Sequence, residues 1–173
     1  MSSLPIPHKA SKIAREFFTR HADEVAKDLL GRTLVFERSA RKCSVYARIE
    51  EIAAYEGKQE SMSEGALYAP GMMSISTKYG KNLIDIATLG ICKPSCITLV
   101  GGTVYDERGR VDQVKGPGNL SAALGIDREY DSFPIDMFPI WIGGQPVDAG
   151  KILQRNRKLP STNCRGFFYI KED

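Results

Sequence analysis

One stretch, residues 44–55, limits what this chain can fold into more than any other. Its odd positions read Val45, Ala47, Ile49, Glu51, Ala53 and Tyr55, and its even positions begin Ser44, Tyr46, Arg48 and Glu50. Alternation of this kind is the signature of a half-buried β-strand, because successive side chains leave opposite faces of a sheet. The pattern places Glu51 on the face that is otherwise apolar, beside Tyr55. A carboxylate there is either paired or held in a pocket, since an isolated buried charge is too costly. Further strands follow on both sides. Residues 33–38 read as a strand joined to this one through polar residues 39–42, which makes a hairpin. Strand-like runs recur at 74–78, 83–88 and 95–100, the last ended by Gly101 and Gly102, and again at 138–142 and 167–170.

Helical signals are fewer. From His21 to Leu30, the residues Ala22, Val25, Ala26, Leu29 and Leu30 form one apolar stripe. Asp23 and Glu24 fall in the first turn, where the helix dipole favours anions, and Gly31 stands where a helix ends. A second, short helix fits residues 117–124, with Pro117 in the first turn and Gly125 after the last. Strands outnumber helices without regular βα alternation. The expected class is therefore α+β: a single domain, mostly antiparallel β-sheet with flanking helices and a protruding β-hairpin. A length of 173 residues suits one domain, expected over residues 17–173. Residues 1–16, with Leu4-Pro5-Ile6-Pro7, are expected to be a flexible arm. Residues 57–73, rich in Gly, Ser and Met, are too long for a tight connection and are a candidate binding or lid segment.

Composition removes several chemistries. His8 and His21 are the only two histidines. A Ser-His-Asp triad or an H-E-x-x-H zinc site would need histidine elsewhere. No phosphate-binding G-x-x-x-x-G-K-[ST] loop occurs, and Gly116-Pro117-Gly118 lacks the third glycine of a dinucleotide fingerprint. Cys43, Cys92, Cys96 and Cys164 do not form paired zinc ligands, and Cys92 and Cys96 read as small buried hydrophobes. The expectation is no metal and no cofactor. No secretory segment or long apolar run appears, which suggests an intracellular chain with reduced thiols and no membrane span. The net charge of +3 permits a polyanionic partner without demanding one.

Three constellations carry possible chemistry. Thr77-Lys78-Tyr79-Gly80-Lys81 sets an aromatic ring between two lysines, suited to a hairpin tip that wedges between bases while the ammonium groups meet phosphates. An ordinary turn with a half-buried tyrosine gives the same pattern. Lys115-Gly116-Pro117-Gly118-Asn119 leads into a helix N-terminus, whose free N–H groups attract anions; a glycine-rich turn is the plainer reading. Lys151, Arg155, Arg157, Lys158 and Arg165 form a basic stretch without an acid. That is either a phosphate-facing patch or a solvated surface.

In order, Leu29-Leu30-Gly31, Arg48-Ile49 leading through Glu51 to Ala54-Tyr55 and Gly57, Pro70-Gly71, Tyr79-Gly80, and Gly116-Pro117-Gly118-x-Leu120 continuing to Ala123-Leu124-Gly125-Ile126 resemble the alkyladenine (3-methyladenine) DNA glycosylase family. The resemblance covers nearly the whole chain. It implies base excision repair on double-stranded DNA: a damaged nucleotide is flipped out and its N-glycosidic bond hydrolysed, by a monomer without a metal. It implies Tyr79 as the wedge and Tyr55 as one ring of the base pocket. It also exposes departures. Ala53 stands where the family carries its catalytic glutamate, Ser74 and Ser76 replace a tyrosine pair, Val100 an arginine and Asn119 a lysine. No histidine lies between Ser61 and Glu64, where a pocket histidine is expected. Glu51, one pleat repeat from Ala53, is the candidate replacement base, with the loop acids Glu60 and Glu64 behind it; a supporting salt bridge or backbone hydrogen bond is its other reading. The DNA-contacting candidates are Lys78, Tyr79, Gly80, Lys81, Lys115, Gly116, Gly118, Arg155, Arg157 and Lys158. Two alternatives stay open. One is a catalytically inactive damaged-DNA-binding module on the same scaffold. The other is a small-molecule or protein-interaction domain using Met62, Met72 and Met73.

Overall fold

The computed structural model describes residues 4–38, 43–57, 68–90, 93–155 and 164–172. In chain order its elements are α1 (Ala22–Leu29), β1 (Thr33–Phe36), β2 (Val45–Glu56), β3 (Met73–Lys78), β4 (Lys81–Ala87), β5 (Ser95–Asp106), β6 (Val111–Lys115), α2 (Pro117–Leu124), β7 (Ile140–Gly143), β8 (Ile152–Arg155) and β9 (Cys164–Ile170). All strand pairs are antiparallel, in one curled sheet of a single α+β domain.

Two long strands carry that sheet. β2 and β5 pair along their length, and each gives its outer edge to two shorter strands. The first half of β2 pairs β1 and the second half pairs β9. The first half of β5 pairs β4 and the second half pairs β6. The partners change where the β2–β5 register shifts, between Ile49 and Ile52 opposite Gly102, Gly101 and Leu99. A bulge bends its strand and increases the local twist, which lets one ladder serve two groups of neighbours.

The bulge also corrects the simple alternation. Val45, Ala47 and Ile49 face the main core, but beyond the bulge Ile52 and Ala54 take that role. Ala53 moves to the opposite face, packed with Val100 and Phe167 and flanked by Tyr55 and Cys164. Glu51 shares a face with Ala53 and Tyr55, as a period of two requires, but that face is not the one occupied by Val45, Ala47 and Ile49.

The core lies between the sheet and the two helices. α1 buries Ala22, Val25, Ala26 and Leu29 completely, the stripe expected from its sequence. Leu120 and Leu124 of α2 join the same cluster. Gly31, at φ +91°, ends α1, and Gly125, at φ +75°, ends α2.

Further differences from the sequence reading have local causes. Gly101 and Gly102 do not end β5, which runs on to Asp106. They sit inside the strand because β2 comes too close for a side chain: a Cβ on Gly102 would lie 2.2 Å from the Arg48 carbonyl oxygen. β6 and β8 were not expected, since their exposed edge positions carry polar and basic residues rather than alternation. The N-terminal residues described lie against the sheet. The Tyr105 hydroxyl donates to the Pro5 carbonyl at 2.6 Å, and Leu4 packs on Val35, Tyr46, Tyr105 and Trp141.

Gly102→Ala is expected to cost at least about 2 kcal/mol, because backbone rather than a movable side chain fills the space. Urea unfolding checks this; a midpoint equal to that of the unaltered chain would show that the β2–β5 approach is not tight.

Candidate functional site

Residues directly opposite one another in a ladder project from the same face of a sheet. One such row crosses six strands: Ser74 on β3, Asp85 on β4, Thr98 on β5, Ala53 on β2, Phe167 on β9 and Arg155 on β8. It lies on the face away from the main core. Ala53 is at its middle, and Tyr55 and Val100 pack nearby. The strand positions expected from the sequence to depart from the family pattern, Ala53, Ser74, Ser76 and Val100, share one face. The next row holds Glu51: Lys115 on β6, Gly101 on β5, Glu51 on β2, Tyr169 on β9 and Leu153 on β8. A Cβ on Gly101 would sit 3.5 Å from Glu51 Oε2, so the glycine leaves that carboxylate its space. The adjacent Glu50 is held separately, accepting from Thr103 Oγ1 at 2.5 Å and Gln113 Nε2 at 3.2 Å.

Sequence reasoning missed Asp85. It lies in β4 between apolar neighbours and is only 6% exposed. Thr98 Oγ1 donates a short hydrogen bond to its carboxylate. Burial pushes its pKa up to about 6, against the opposing pull of that hydrogen bond. The Cys96 thiol, buried close by, is also pushed up by burial and then by Asp85. The available signal was a lone acid inside Leu83-Ile84-Asp85-Ile86-Ala87, where a strand otherwise carries apolar residues.

The hairpin β3–β4 turns through Tyr79 and Gly80, with Lys78 opposite Lys81. Both turn residues have positive φ, +52° and +75°, which is the type I′ conformation that matches strand twist. A tyrosine in that region costs roughly 1–2 kcal/mol, so its presence is not explained by turn preference. Its ring is 94% exposed, with Lys78 Nζ 5.8 Å from the ring centre. The hairpin leans on α2. Lys81 Nζ donates to Asn119 Oδ1 at 2.7 Å, Asn119 Nδ2 to the Lys115 carbonyl at 2.9 Å, and Ser121 Oγ to the Asn82 carbonyl at 2.6 Å. Gly118 is required here, because a Cβ would meet the Lys81 side chain at 2.6 Å. Gly116, at φ +100°, precedes Pro117 without a side-chain cap. Lys78, Tyr79, Gly80, Lys81, Lys115, Gly116 and Gly118 thus gather at one end of the domain. Arg155 does not join them. It sits on β8 with its guanidinium 4.6 Å over the Tyr169 ring, at the far end of the Ala53 row. Arg157, Lys158, Glu60, Glu64, Met62 and Cys92 lie outside the described residues.

Glu56, at the end of β2, was also missed. It accepts from the Ala22 backbone N–H at 2.8 Å, lies 3.0 Å from His21 Nδ1, and has Arg165 Nε at 3.9 Å. It ties the sheet to the positive end of α1. Among the described residues no group of three or more His, Cys, Asp or Glu is arranged to hold a metal ion. No described helix is long and apolar enough to cross a membrane.

The raised pKa of Asp85 has a consequence for stability. Because the folded state holds its proton more tightly than the unfolded chain, stability is greatest below the ordinary carboxylate range and falls as pH rises through about 6. Asp85→Asn keeps an acceptor for Thr98 and removes the charge. It is expected to melt higher than the unaltered chain at pH 8, by a margin on the order of 2–3 kcal/mol that vanishes near pH 4. Melting curves across that range decide it; a pH-independent difference would show that the carboxylate is not penalised by burial.

The family model for methylpurine-DNA glycosylase matches residues 16–158. A protein of Anaeromyxobacter sp. (strain Fw109-5) named "Putative 3-methyladenine DNA glycosylase" is 34% identical over 132 residues, covering 70% of this chain and 66% of its own length. Proteins of the same name from Streptomyces avermitilis and Rhizobium etli are 28% and 30% identical, covering 69% and 84% of this chain and 65% and 81% of their own lengths. The chain spans slightly less than two thirds of the first two of these relatives. With the family match extending across α1, both long strands, the hairpin and α2, this chain belongs to the methylpurine-DNA glycosylase family.

Proposed function

We propose that this protein works on double-stranded DNA as a glycosylase-type domain of base excision repair. The hairpin pushes Tyr79 into the base stack, and the displaced purine settles on the face floored by Ala53 and walled by Tyr55. Its N-glycosidic bond is hydrolysed there. Flipping is needed because the bond is inaccessible to a side chain while the base is stacked. The wedge compensates part of the unstacking cost, and Lys78, Lys81 and Lys115 meet phosphates on either side of it. Gly118 and Asn119 N–H groups at the start of α2 add backbone donors to the same phosphate track. Arg155 reaches the backbone separately from the other edge of the sheet. The relatives' shared name supports 3-methyladenine as the lesion to test first. Hydrolysis requires a carboxylate at the water, and Glu51 and Asp85 both stand on this face.

The observation that carries the reading is Tyr79: an aromatic ring 94% exposed on a strained two-residue turn between two lysines, beside a helix N-terminus. A second reading is favoured by Ala53, whose methyl packs with Val100 and Phe167 where the family pattern has a glutamate. On that reading the domain binds distorted DNA and does not cleave the bond.

Duplex binding is expected to weaken steeply with salt, and Lys81→Ala to reduce the salt slope by about one. Tyr79→Ser is expected to lose about tenfold in affinity on a duplex carrying a mismatch or abasic site, and less on intact duplex. Fluorescence anisotropy checks both, and salt-independent or undetectable binding removes the proposal. Single-turnover release of 3-methyladenine, hypoxanthine or ethenoadenine separates the two readings; binding without release of any base leaves the module.

A further inference from the structure

We propose that the cavity between α2 and the β5–β6 turn binds a phosphorylated small molecule of mononucleotide size, held by Arg38, Arg108 and Arg110. The site is separate from the DNA-contacting residues above, and the proposal does not rest on the glycosylase reading.

The positive charge is concentrated at one place. A cavity of about 360 Å³ opens between the end of β1, the β5–β6 turn and the second half of α2. Arg38, just past β1, and Arg108 and Arg110, from the turn, line it. Among the described residues the sole acid lining it is Asp106. That carboxylate is engaged by the turn itself: its Oδ1 accepts from the backbone N–H groups of Arg108 at 2.9 Å and Arg110 at 3.1 Å. The Gly109 N–H also donates to the Asp106 carbonyl at 3.3 Å, with Gly109 at φ +85°. Both arginines therefore leave a turn that is ordered before a ligand arrives, which lowers the cost of binding.

The three guanidinium groups keep most of their charge. Arg38 Nη2 donates to the Leu124 carbonyl at 2.7 Å, which sets a cation against the negative end of α2. Arg110 Nε lies 3.3 Å from Asp112 in an exposed pair, a kind that is weak in water. Arg108 has no ion-pair partner among the described residues. Three guanidinium groups against one acid select an anion. A phosphomonoester, with nearly two charges and three acceptor oxygens, satisfies more of their fixed N–H donors than a carboxylate does.

The rest of the cavity is apolar. Val45 and Val104 are both under a tenth exposed, and Ala122 and Ala123 of α2 add short side chains that leave room beside them. A volume near the lower end of the roughly 300–1,000 Å³ of small-molecule sites suits one sugar and ring, with the phosphate at the arginines. The larger cavity, about 740 Å³ between α1 and β8, offers no such field: Lys27 there faces Asp28 and Asp148.

Cys43 lines the arginine cavity and reports its occupancy, while Cys164 packs beside Ala53 on the other face of the sheet and serves as the control. The test measures melting temperature and iodoacetamide labelling of each cysteine by peptide mapping, at constant ionic strength. Deoxyadenosine monophosphate at about 10 mM is expected to raise Tm by about 2–5 °C and to slow Cys43 labelling at least about threefold, with Cys164 unchanged. Deoxyadenosine, which lacks the phosphate, is expected to do neither. The double variant Arg108→Ser/Arg110→Ser is expected to lose both responses while melting within about 2 °C of the unaltered chain, because both side chains are exposed. Equal stabilisation of the double variant, equal effects of deoxyadenosine, or no response of the unaltered chain to the nucleotide each overturn the proposal. Reduced duplex DNA affinity in the double variant, without any response to the nucleotide, also overturns it and adds the two arginines to the DNA-contacting residues.

Discussion

The close approach of two backbones at one point organises this domain. Where the Arg48 carbonyl of β2 meets Gly102 of β5, no Cβ fits, and the register slips past Glu50 and Val100 before pairing resumes. The slip turns both long strands at the same level. Below it β2 serves β1, and above it β9; β5 likewise serves β6 and β4. It also exchanges the faces, so that Ile49 and Ile52 both enter the core although they are three residues apart. Without this contact the second half of β2 would present Ala53 and Tyr55 to the main core in place of Ile52 and Ala54.

That exchange explains why the site rows are chemically mixed. The β2 positions of the main core next to the slip, Val45, Ala47, Ile49, Ile52 and Ala54, are apolar, as a sheet packed on helices requires. The opposite face carries Ser74, Asp85, Thr98 and Glu51 among Ala53, Val100 and Phe167. A buried acid supported by one hydroxyl is a stability cost, of the kind concentrated at functional sites rather than spread through a core.

The hairpin depends on a different support. Two strands and a two-residue turn are marginal alone. Here the turn is braced from behind by α2, through Lys81 on Asn119, Ser121 on Asn82, and the gap that Gly118 leaves for the Lys81 stem. The bracing holds Tyr79 out in solvent in a backbone conformation unfavourable to it. One short helix therefore does two things: it closes the core through Leu120 and Leu124, and it sets the position of the exposed ring.

Much of this was legible in the residues. The α1 stripe, the αL glycines Gly31 and Gly125, the Pro117 start of α2, the antiparallel α+β class and the Lys-Tyr-Gly-Lys turn all follow from local periodicity and turn chemistry, which act over a few neighbours. Edge strands β6 and β8 were not legible, because an exposed edge places little demand on side-chain pattern. The face of Glu51 was misread because a bulge is a relation between two strands, and alternation within one of them cannot reveal it. Asp85 was missed for a related reason: its hydrogen-bond partner Thr98 is 13 positions away along the chain and adjacent only across the sheet. The sequence by itself determined which segments are strands and helices, where they turn and to which family they belong. The tertiary structure decided which face each polar group occupies and which groups meet, since ladder register is settled by backbone contacts between segments distant in the chain.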